Sequence, residues 1–366
     1  MYPNGCVYVL IAKAFCHHPS WRIPDRTSIK LACPTIRGIV LISHSLRLMW
    51  YWRTSPDNEQ EVMWFTRIKT TASGVVGVEI SPTGIAVAHV LQRTNETPRL
   101  LNCQFRESSP TLHHSVLKSL VDELGLNGLP VNLVLHPAAY QMLLVESPDV
   151  PAEDLGDAMR WRIKDLIKEP LENVVVDAFA LPADAYRGRS QMAYCAVVDK
   201  ARLQGWCDLI KQANLKLVSV DVTEMALRNL GLLAGAQNLN IAVLCLRSSG
   251  GLICVQHGAD LYMARVIEHG IEQAGPDFSS ATLEIQRSLD YFESQLGKGH
   301  INRLLLLPMK RDGVDALQAL ENRLTVQLQA LDLRELFEGQ PAAQLDEQTQ
   351  ASCIAAVGAA LRKAAA

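Results

Sequence analysis

The sequence predicts an α/β protein that is internally duplicated, with a small α+β domain inserted into its first half. Strand and helix patterns alternate from Met63 onward, and a pair of apolar strands around a Ser/Gly tip occurs twice. A compact run of strands and helices separates the two occurrences. A hydrophobic fraction of 48% with 20% charged residues, in a chain of 366 residues, is typical of a globular protein with a sizeable core.

Composition excludes several classes of function. The formal net charge is −3, whereas proteins that bind nucleic acid electrostatically carry a clustered basic face. The nine cysteines contain no C-x-x-C pair, so neither a zinc site nor a disulfide framework is predicted. Cys195, Cys245 and Cys254 lie in apolar runs and are expected to be small buried hydrophobes. This usage is typical of a reducing, cytosolic compartment.

Residues 1–62 differ in composition from the rest of the chain. They contain three of the six Trp and three of the nine Cys, with seven Lys/Arg against four Asp/Glu. The apolar run between Arg37 and Arg47 is too short for a membrane span, which needs about 20 residues. We therefore expect residues 1–62 to be a non-native or disordered leader and Met63 to be the natural start, with no transmembrane span in the chain.

The first half opens with a predicted β-hairpin over residues 75–90. The sequence VVGVEISPTGIAVAHV gives two β-rich arms that reverse at Ser81, Pro82, Thr83 and Gly84. A strand-like LLNCQFRES follows, then a helix over residues 115–126 with an apolar face, then the buried strand VNLVLH. Residues 63–137 are expected to form a first subdomain.

The inserted α+β subdomain is predicted over residues 138–220. The strand YQMLLVES leads to a helix that Pro151 opens and Pro170 closes. Leu155, Met159, Ile163 and Leu166 are expected to share the buried face of that helix. The strands VVVDAFAL and QMAYCAVV, the helix ARLQGWCDLIKQA and the strand LKLVSVDV complete the unit.

Residues 221–366 are predicted to form the second lobe. It begins with the helix EMALRNLGLLAG and a second hairpin, NIAVLCLRSSGGLICVQHGADLYMARVI. A helix over residues 283–296, the strand INRLLLLP and a closing helix around AAVGAALR follow. Two halves that each begin with such a hairpin are expected to enclose a cleft, whose hairpin tips are of the kind that holds phosphates.

This order of motifs resembles the PilM family, the actin-like cytoplasmic components of type IV pilus assembly. The first hairpin resembles the family's opening hairpin, and AMRWRIKDLIKEPLENVVVDAFALP resembles its inserted domain. LEIQRSLDYFESQ resembles its nucleotide-side helix and AAVGAALR its closing helix. RWRIKDLI, DAYRGR and LEIQRSLDYFESQ are most similar to the branch that serves the mannose-sensitive haemagglutinin (MSHA) pilus. The resemblance covers about residues 63–366 and implies an actin-like ATPase fold of two lobes.

Active members of the family bind ATP and Mg²⁺ between the lobes, and the first hairpin departs from their pattern. The family has an Asp and then a Gly where this chain has Glu79 and Ser81. Pro82 lacks an N–H and so removes one backbone donor. Ser81, Thr83 and Gly84 retain groups that suit a phosphate.

The second hairpin departs further. An Asp-x-Gly pattern is expected there, and the chain has Cys245, Leu246 and Arg247. A thiol does not replace a carboxylate near a hard cation, although a guanidinium pairs with phosphate. The residues of this hairpin that we assign to a vestigial nucleotide site are Arg247, Ser248, Ser249 and Gly250.

The third nucleotide element is the adenosine loop, where the family turns on a pair of glycines. Here the strand INRLLLLP runs into Pro308, and no glycine comes before Gly313. Glu284, Arg287 and Ser288 lie at helical spacing on the preceding helix, so they are expected either to reach a sugar and base or to be polar surface positions.

The sequence therefore predicts a degenerate cleft, no catalytic or metal-ligating residues, no required cofactor and no ATP hydrolysis, while binding of ATP and Mg²⁺ without turnover stays open. The resemblance implies a cytoplasmic scaffold, peripheral to the inner membrane, that binds the cytoplasmic tail of a PilN-like single-span partner. We expect the tail to lie in a groove between the first subdomain and the inserted domain. The candidate contacts are Trp161, Arg160, Arg162 and Tyr140, because Trp and Arg dominate protein interfaces.

Two alternatives stay open. The chain is an active actin-fold ATPase or sugar kinase if other residues replace the missing Asp and Gly pair. The second alternative is that the chain is the cytoplasmic part of a type II secretion platform protein, which has the same fold. That platform protein continues into a membrane span and a periplasmic domain, and the sequence ends at AALRKAAA with neither.

Overall fold

Two five-stranded mixed sheets and one three-stranded antiparallel sheet form the framework of the structure, which is a computed structural model. The structure describes residues 74–93, 96–152, 154–186, 190–273, 278–296, 298–310 and 313–362. The leader predicted over residues 1–62 lies outside these ranges.

The first sheet belongs to the first lobe and has the strand order β3-β2-β1-β4-β8. Its strands are β1 (Val75–Ser81), β2 (Gly84–Leu91), β3 (Arg99–Glu107), β4 (Pro130–Leu135) and β8 (Lys216–Val222). The strands β1, β2 and β3 form an antiparallel meander, and β4 pairs parallel to β1 and to β8. Almost every residue of β1 and β2 is buried because helices pack on both faces of the sheet.

The second sheet repeats this plan with the order β11-β10-β9-β12-β13. Its strands are β9 (Asn240–Arg247), β10 (Gly250–His257), β11 (Asp260–Ile267), β12 (Arg303–Leu306) and β13 (Leu328–Ala330). Three antiparallel strands are again followed by two parallel ones, so the predicted internal duplication is confirmed.

Helices occupy matching places in the two halves. The first half contains α1 (His113–Glu123), α3 (Lys200–Gln212) and α4 (Thr223–Leu233), and the second contains α5 (Ser279–Tyr291), α6 (Gly313–Glu321), α7 (Leu333–Leu336), α8 (Gln340–Ala343) and α9 (Glu347–Ala360). A π-helical turn, Phe292–Leu296, extends α5. Within the described residues, no helix combines the length and the apolar character that a bilayer crossing requires.

The helices α4 and α9 pack against each other between the lobes. A Cβ added to Gly358 of α9 would lie 2.3 Å from the carbonyl oxygen of Ala226 in α4. A Cβ added to Gly77 of β1 would lie 1.9 Å from the carbonyl oxygen of Ala356. Asn229 donates to the Gly358 carbonyl at 2.9 Å. Gly358 and Gly77 therefore allow α9 to approach α4 and β1 closely.

The inserted α+β part lies between β4 and α3. It has β5 (Tyr140–Glu146), β6 (Val174–Ala180) and β7 (Met192–Asp199) in the order β5-β7-β6, and α2 (Leu155–Arg162) packs on β6. The sequence places α3 and β8 in this unit as well, within residues 138–220. In the structure β8 instead pairs with β4, and α3 contributes Leu203 and Ile210 to the core of the first lobe.

Helix α2 is much shorter than the helix predicted between Pro151 and Pro170. It ends at Arg162, where the Ile163 N–H bonds the Met159 carbonyl. Leu155, Met159 and Ile163 are buried as expected, but Leu166 is 53% exposed. The expectation for Leu166 is wrong because a turn follows Ile163 and takes Leu166 off the helical face.

The inserted sheet is fastened to the second lobe by tyrosine hydroxyls. The Tyr194 hydroxyl accepts from the Ala264 N–H at 2.9 Å and donates to the Ala264 carbonyl at 3.1 Å. Tyr262 donates to Asp184 at 3.0 Å, and the hydroxyls of Tyr186 and Tyr291 lie 3.2 Å apart. The insertion thus contacts both lobes.

Candidate functional site

The two hairpins that the sequence assigns to phosphate binding meet in the cleft between the lobes. Glu79 lies within β1 and Arg247 ends β9, just before the second tip. The Arg247 Nη2 donates to the Glu79 Oε1 at 3.2 Å. The Glu79 side chain is 6% exposed and that of Arg247 is 30% exposed. The first-lobe carboxylate is therefore paired with a second-lobe cation.

The surroundings of this ion pair shift the pKa of Arg247 and of two neighbouring side chains, Cys245 and His136. Burial alone would lower the pKa of Arg247, but the neighbouring Glu79 carboxylate and Cys245 thiol raise it above its ordinary value. Burial raises the pKa of Cys245, so its thiol stays protonated. Burial, together with the positive charges of Arg247 and Lys310, lowers the pKa of His136 to about 4. The His136 imidazole is therefore neutral at neutral pH.

These side chains do not fit a magnesium nucleotide. Mg²⁺ requires oxygen ligands, usually carboxylates and water, and repels a guanidinium. The Glu79 carboxylate is already paired with Arg247, and Cys245 offers a protonated thiol. In the part of the chain that the structure describes, no three His, Cys, Asp or Glu side chains are grouped as metal ligands would be.

The polar groups at the tip of the first hairpin form hydrogen bonds within the protein. The Ser81 hydroxyl accepts from the Gly84 N–H at 3.2 Å and donates to the Gly84 carbonyl at 2.9 Å. The Thr83 carbonyl accepts from the Ser108 N–H at 3.0 Å. The Ser81 and Gly84 groups that were expected to face a phosphate thus stabilise the turn.

The tip of the second hairpin is covered by the segment that follows β11. The Ile271 and Glu272 N–H groups donate to the carbonyls of Arg247 and Ser248, each at 2.9 Å. A Cβ on Gly270 would lie 2.1 Å from the Gly250 nitrogen, so this close cover needs a glycine. Ser248 and Ser249 remain exposed at the end of the tip.

Glu284, Arg287 and Ser288 lie on α5 but do not converge on one point. The Glu284 carboxylate accepts from the Glu268 N–H at 2.7 Å and contacts the His269 ring, so it fixes the segment after β11. The buried Ser288 hydroxyl donates to the Glu284 carbonyl at 2.8 Å, while Arg287 is exposed.

The four residues predicted to contact a partner divide into one exposed aromatic and three with internal bonds. Trp161 is 72% exposed on α2. Arg160 donates to the carbonyls of Leu171 and Val174, and Arg162 donates to the Glu146 carbonyl at 3.0 Å. The two arginines therefore hold α2 against the inserted sheet.

The Tyr140 hydroxyl is buried beside a residue that the sequence analysis did not select. It donates to the Glu224 carboxyl at 2.5 Å and accepts from the Thr223 N–H at 3.2 Å. Glu224 is 4% exposed, and burial raises its pKa. The one sequence signal for Glu224 is an acidic residue in the first turn of a largely apolar helix.

A groove of about 410 Å³ lies between the inserted sheet and the second lobe. We call it the sheet–lobe groove; Met142, Leu144 and Tyr194 line it on one side, Leu252, Val266 and Tyr291 on the other, and Glu224 also lines it. The sequence predicts a groove between the first subdomain and the insertion, whereas this one lies between the insertion and the second lobe.

Comparison with known proteins identifies the fold. No protein-family profile matches the chain, and no curated protein sequence matches it either. Among solved structures, the PilM-PilN type IV pilus biogenesis complex is 20% identical, with 79% of this chain and 98% of that chain covered and a TM-score of 0.61. With the repeated sheet order, this likeness shows that the chain has the actin-like ATPase fold.

Two further structures share less of the geometry. A Bacteroides thetaiotaomicron protein with an actin-like ATPase fold is 13% identical, with 75% of this chain and 96% of that chain covered and a TM-score of 0.45. The cytoplasmic domain of EpsL, an inner-membrane component of the type II secretion system of Vibrio cholerae, is 12% identical, with 69% and 94% covered and a TM-score of 0.43.

Proposed function

We propose that this protein is a non-hydrolysing, actin-fold scaffold of type IV pilus biogenesis, of the PilM-like kind that serves the MSHA pilus (MshI-like). It acts on the cytoplasmic side of the inner membrane and binds the cytoplasmic tail of a PilN-like partner. Its likeness in fold to a PilM-PilN complex supports this partner class. The protein is peripheral to the membrane and is held there by that partner.

The Arg247–Glu79 ion pair is the observation that carries the proposal. In a working actin-fold ATPase the two hairpins hold the phosphates and their metal, and hydrolysis depends on that positioned charge. Here a cation from one hairpin neutralises the carboxylate of the other at 3.2 Å. The protein then holds its lobes together without nucleotide, which suits a scaffold better than an enzyme.

Titration of the full chain with ATP tests the loss of nucleotide chemistry. We expect that heat of binding is the same with excess Mg²⁺ and with EDTA, and that phosphate release stays at the rate of the buffer. A Mg²⁺-dependent increase in ATP affinity, or steady turnover, would overturn the proposal. The variant Arg247→Gly, which restores a glycine at the second hairpin, shows whether the ion pair is what excludes the metal complex.

Capture of the membrane partner tests the scaffold role. Tagged full-length protein, purified from detergent-solubilised membranes of its own cells, is expected to retain a single-span inner-membrane pilus protein. Trp161→Ala removes the exposed aromatic and is expected to weaken that capture. Leu283→Ala, at another exposed apolar position, is the matched control. Equal capture by the Trp161 variant and wild type would exclude Trp161 from the interface.

A further inference from the structure

Two buried free cysteines, Cys103 of β3 and Cys353 of α9, belong to the same core cluster. We propose that a peroxide converts them to a reversible disulfide and that this bond fastens the closing helix α9 to the sheet of the first lobe. We call the oxidised pair the disulfide latch. It is a redox-sensitive device of the fold and does not depend on the proposed membrane partner.

The register of the first sheet points the Cys103 side chain at α9. Gly77 of β1, Ala88 of β2 and Cys103 of β3 are paired in one row across the sheet, so their Cβ positions lie on the same face. At Gly77 this face meets α9, since a Cβ there would lie 1.9 Å from the Ala356 carbonyl oxygen. The Cys103 thiol therefore enters the layer that α9 occupies.

The path of α9 across the sheet brings Cys353 toward the same place. The Asn132 side chain of β4 donates to the Ala359 carbonyl at 2.9 Å, so the C-terminal part of α9 lies over β4. Ala356, about one turn earlier, lies over β1. Cys353 comes about one further turn before Ala356, and the next strands in the sheet are β2 and β3. A hydrogen bond between the Cys353 and Cys103 thiols, together with burial, raises the pKa of Cys353 well above its ordinary value.

Burial keeps the pair reduced until α9 moves. Cys353 has no exposed surface and Cys103 is 8% exposed. When α9 opens, the Cys103 thiolate attacks one oxygen of the peroxide, the O–O bond breaks, and a sulfenic acid and one water form. The Cys353 thiolate then attacks the Cys103 sulfur, and the hydroxyl leaves as a second water. The two thiols lose two protons and two electrons, and the peroxide is reduced to two waters.

The disulfide latch would join the two lobes, because the N-terminal part of α9 is anchored in the second lobe. The Gln348 side chain donates to the Lys310 carbonyl, and the Gln350 side chain accepts from the Leu333 N–H, each at 2.9 Å. A bond from Cys353 to β3 therefore ties the first-lobe sheet to a helix that the second lobe holds. The bridged residues are far apart in the chain, so the bond also restricts the unfolded state strongly.

Treatment of the full chain with hydrogen peroxide tests this assignment. Every protein compared carries Cys6→Ser, Cys16→Ser and Cys33→Ser, which remove the cysteines of residues 1–62. Mass spectrometry of peptides digested without reduction is expected to find Cys103 bridged to Cys353. Dithiothreitol is expected to restore both free thiols.

Two measurements show whether the bond acts as a latch. Oxidation is expected to raise the midpoint of thermal unfolding by about 5 °C or more and to slow amide hydrogen exchange in α9 roughly tenfold. Cys103→Ala is expected to abolish both effects, whereas Cys195→Ala, at a buried cysteine of β7, keeps them. Cys353→Ala repeats the test from the side of the helix; if it does not fold, Cys103→Ala still decides.

Three results would overturn the inference. The first is that Cys103 and Cys353 both remain free thiols after peroxide treatment. The second is that oxidation bridges either of them to another cysteine or stops at a sulfenic or sulfinic acid. The third is that the Cys103–Cys353 disulfide forms but changes neither the unfolding midpoint nor the exchange of α9.

Discussion

Arg247 and Glu79 come from different lobes, and the guanidinium Nη2 of one lies 3.2 Å from the carboxylate Oε1 of the other. The two residues are 168 positions apart in the chain. The pair lies where the two hairpins face each other, so it joins the halves of the duplication at their cleft. Its strength should therefore appear in the stability of the whole protein.

Arg247→Ala is expected to destabilise the protein by about 2 kcal/mol, because it leaves the Glu79 carboxylate buried without a cation. This loss is smaller than the loss expected when one partner of a fully buried ion pair is removed, because the Arg247 side chain is partly exposed. Urea unfolding measures the change. Glu79→Gln combined with Arg247→Met removes both charges and is expected to recover most of the loss. If the loss in the double variant equals the sum of the losses measured for Glu79→Gln and Arg247→Met singly, the pair contributes no coupling.

Gly358→Ala is expected to destabilise the protein by roughly 1–3 kcal/mol, because the added Cβ would lie 2.3 Å from the Ala226 carbonyl oxygen and force α9 away from α4. Gly205→Ala is the matched control, since Gly205 lies on α3 with no other atom near its Cβ position. There alanine should stabilise by about 0.5–1 kcal/mol through its better helix propensity. Thermal unfolding of the two variants should shift in opposite directions.

Local patterns were sufficient to predict the duplicated framework. Two apolar arms around a short polar turn specify a hairpin through neighbours in sequence, so residues 75–90 and the second hairpin could be read directly. Parallel pairing is set by residues far apart in the chain. For this reason the sequence grouped β8 with the insertion, although it pairs with β4.

Side-chain partners were the harder part of the site to predict. Sequence placed Arg247 in a phosphate hairpin, but its pairing with Glu79 depends on how the lobes meet. Tyr140 was selected as a partner contact at the entry to the inserted domain, and its hydroxyl bonds Glu224, which belongs to no recognisable motif. Long-range hydrogen bonds of this kind leave no periodic signal in the chain.

Trp161→Ala is expected to change the free energy of unfolding by less than about 0.5 kcal/mol, because the side chain is 72% exposed on α2. Arg160→Ala should destabilise the protein by about 1 kcal/mol or more, since its guanidinium bonds two backbone carbonyls. Urea unfolding of both variants distinguishes a surface contact from a structural one. A large loss with Trp161→Ala would mean that the ring packs against the protein.

His136 is expected to make the protein less stable as the pH falls from 7 to 5. Its pKa is about 4 in the folded protein, because burial and the charges of Arg247 and Lys310 disfavour protonation, against about 6.5 in the unfolded chain. The unfolded chain therefore binds more protons between these values. The contribution of His136 is fully present above pH 6.5, loses roughly 2 kcal/mol by pH 5, and is gone below pH 4.

His136→Asn isolates this contribution, because asparagine keeps a side-chain acceptor for the Ala138 N–H and does not titrate. The raised pKa of Glu224 gives a slope of opposite sign, with stability lost as the pH rises, but it is present in both proteins and cancels in their difference. Urea unfolding at pH 7 and pH 5 should show a smaller loss in the His136→Asn variant than in wild type, while the exposed His114→Asn control follows wild type. Parallel losses in all three proteins would mean that His136 becomes protonated without cost in the fold.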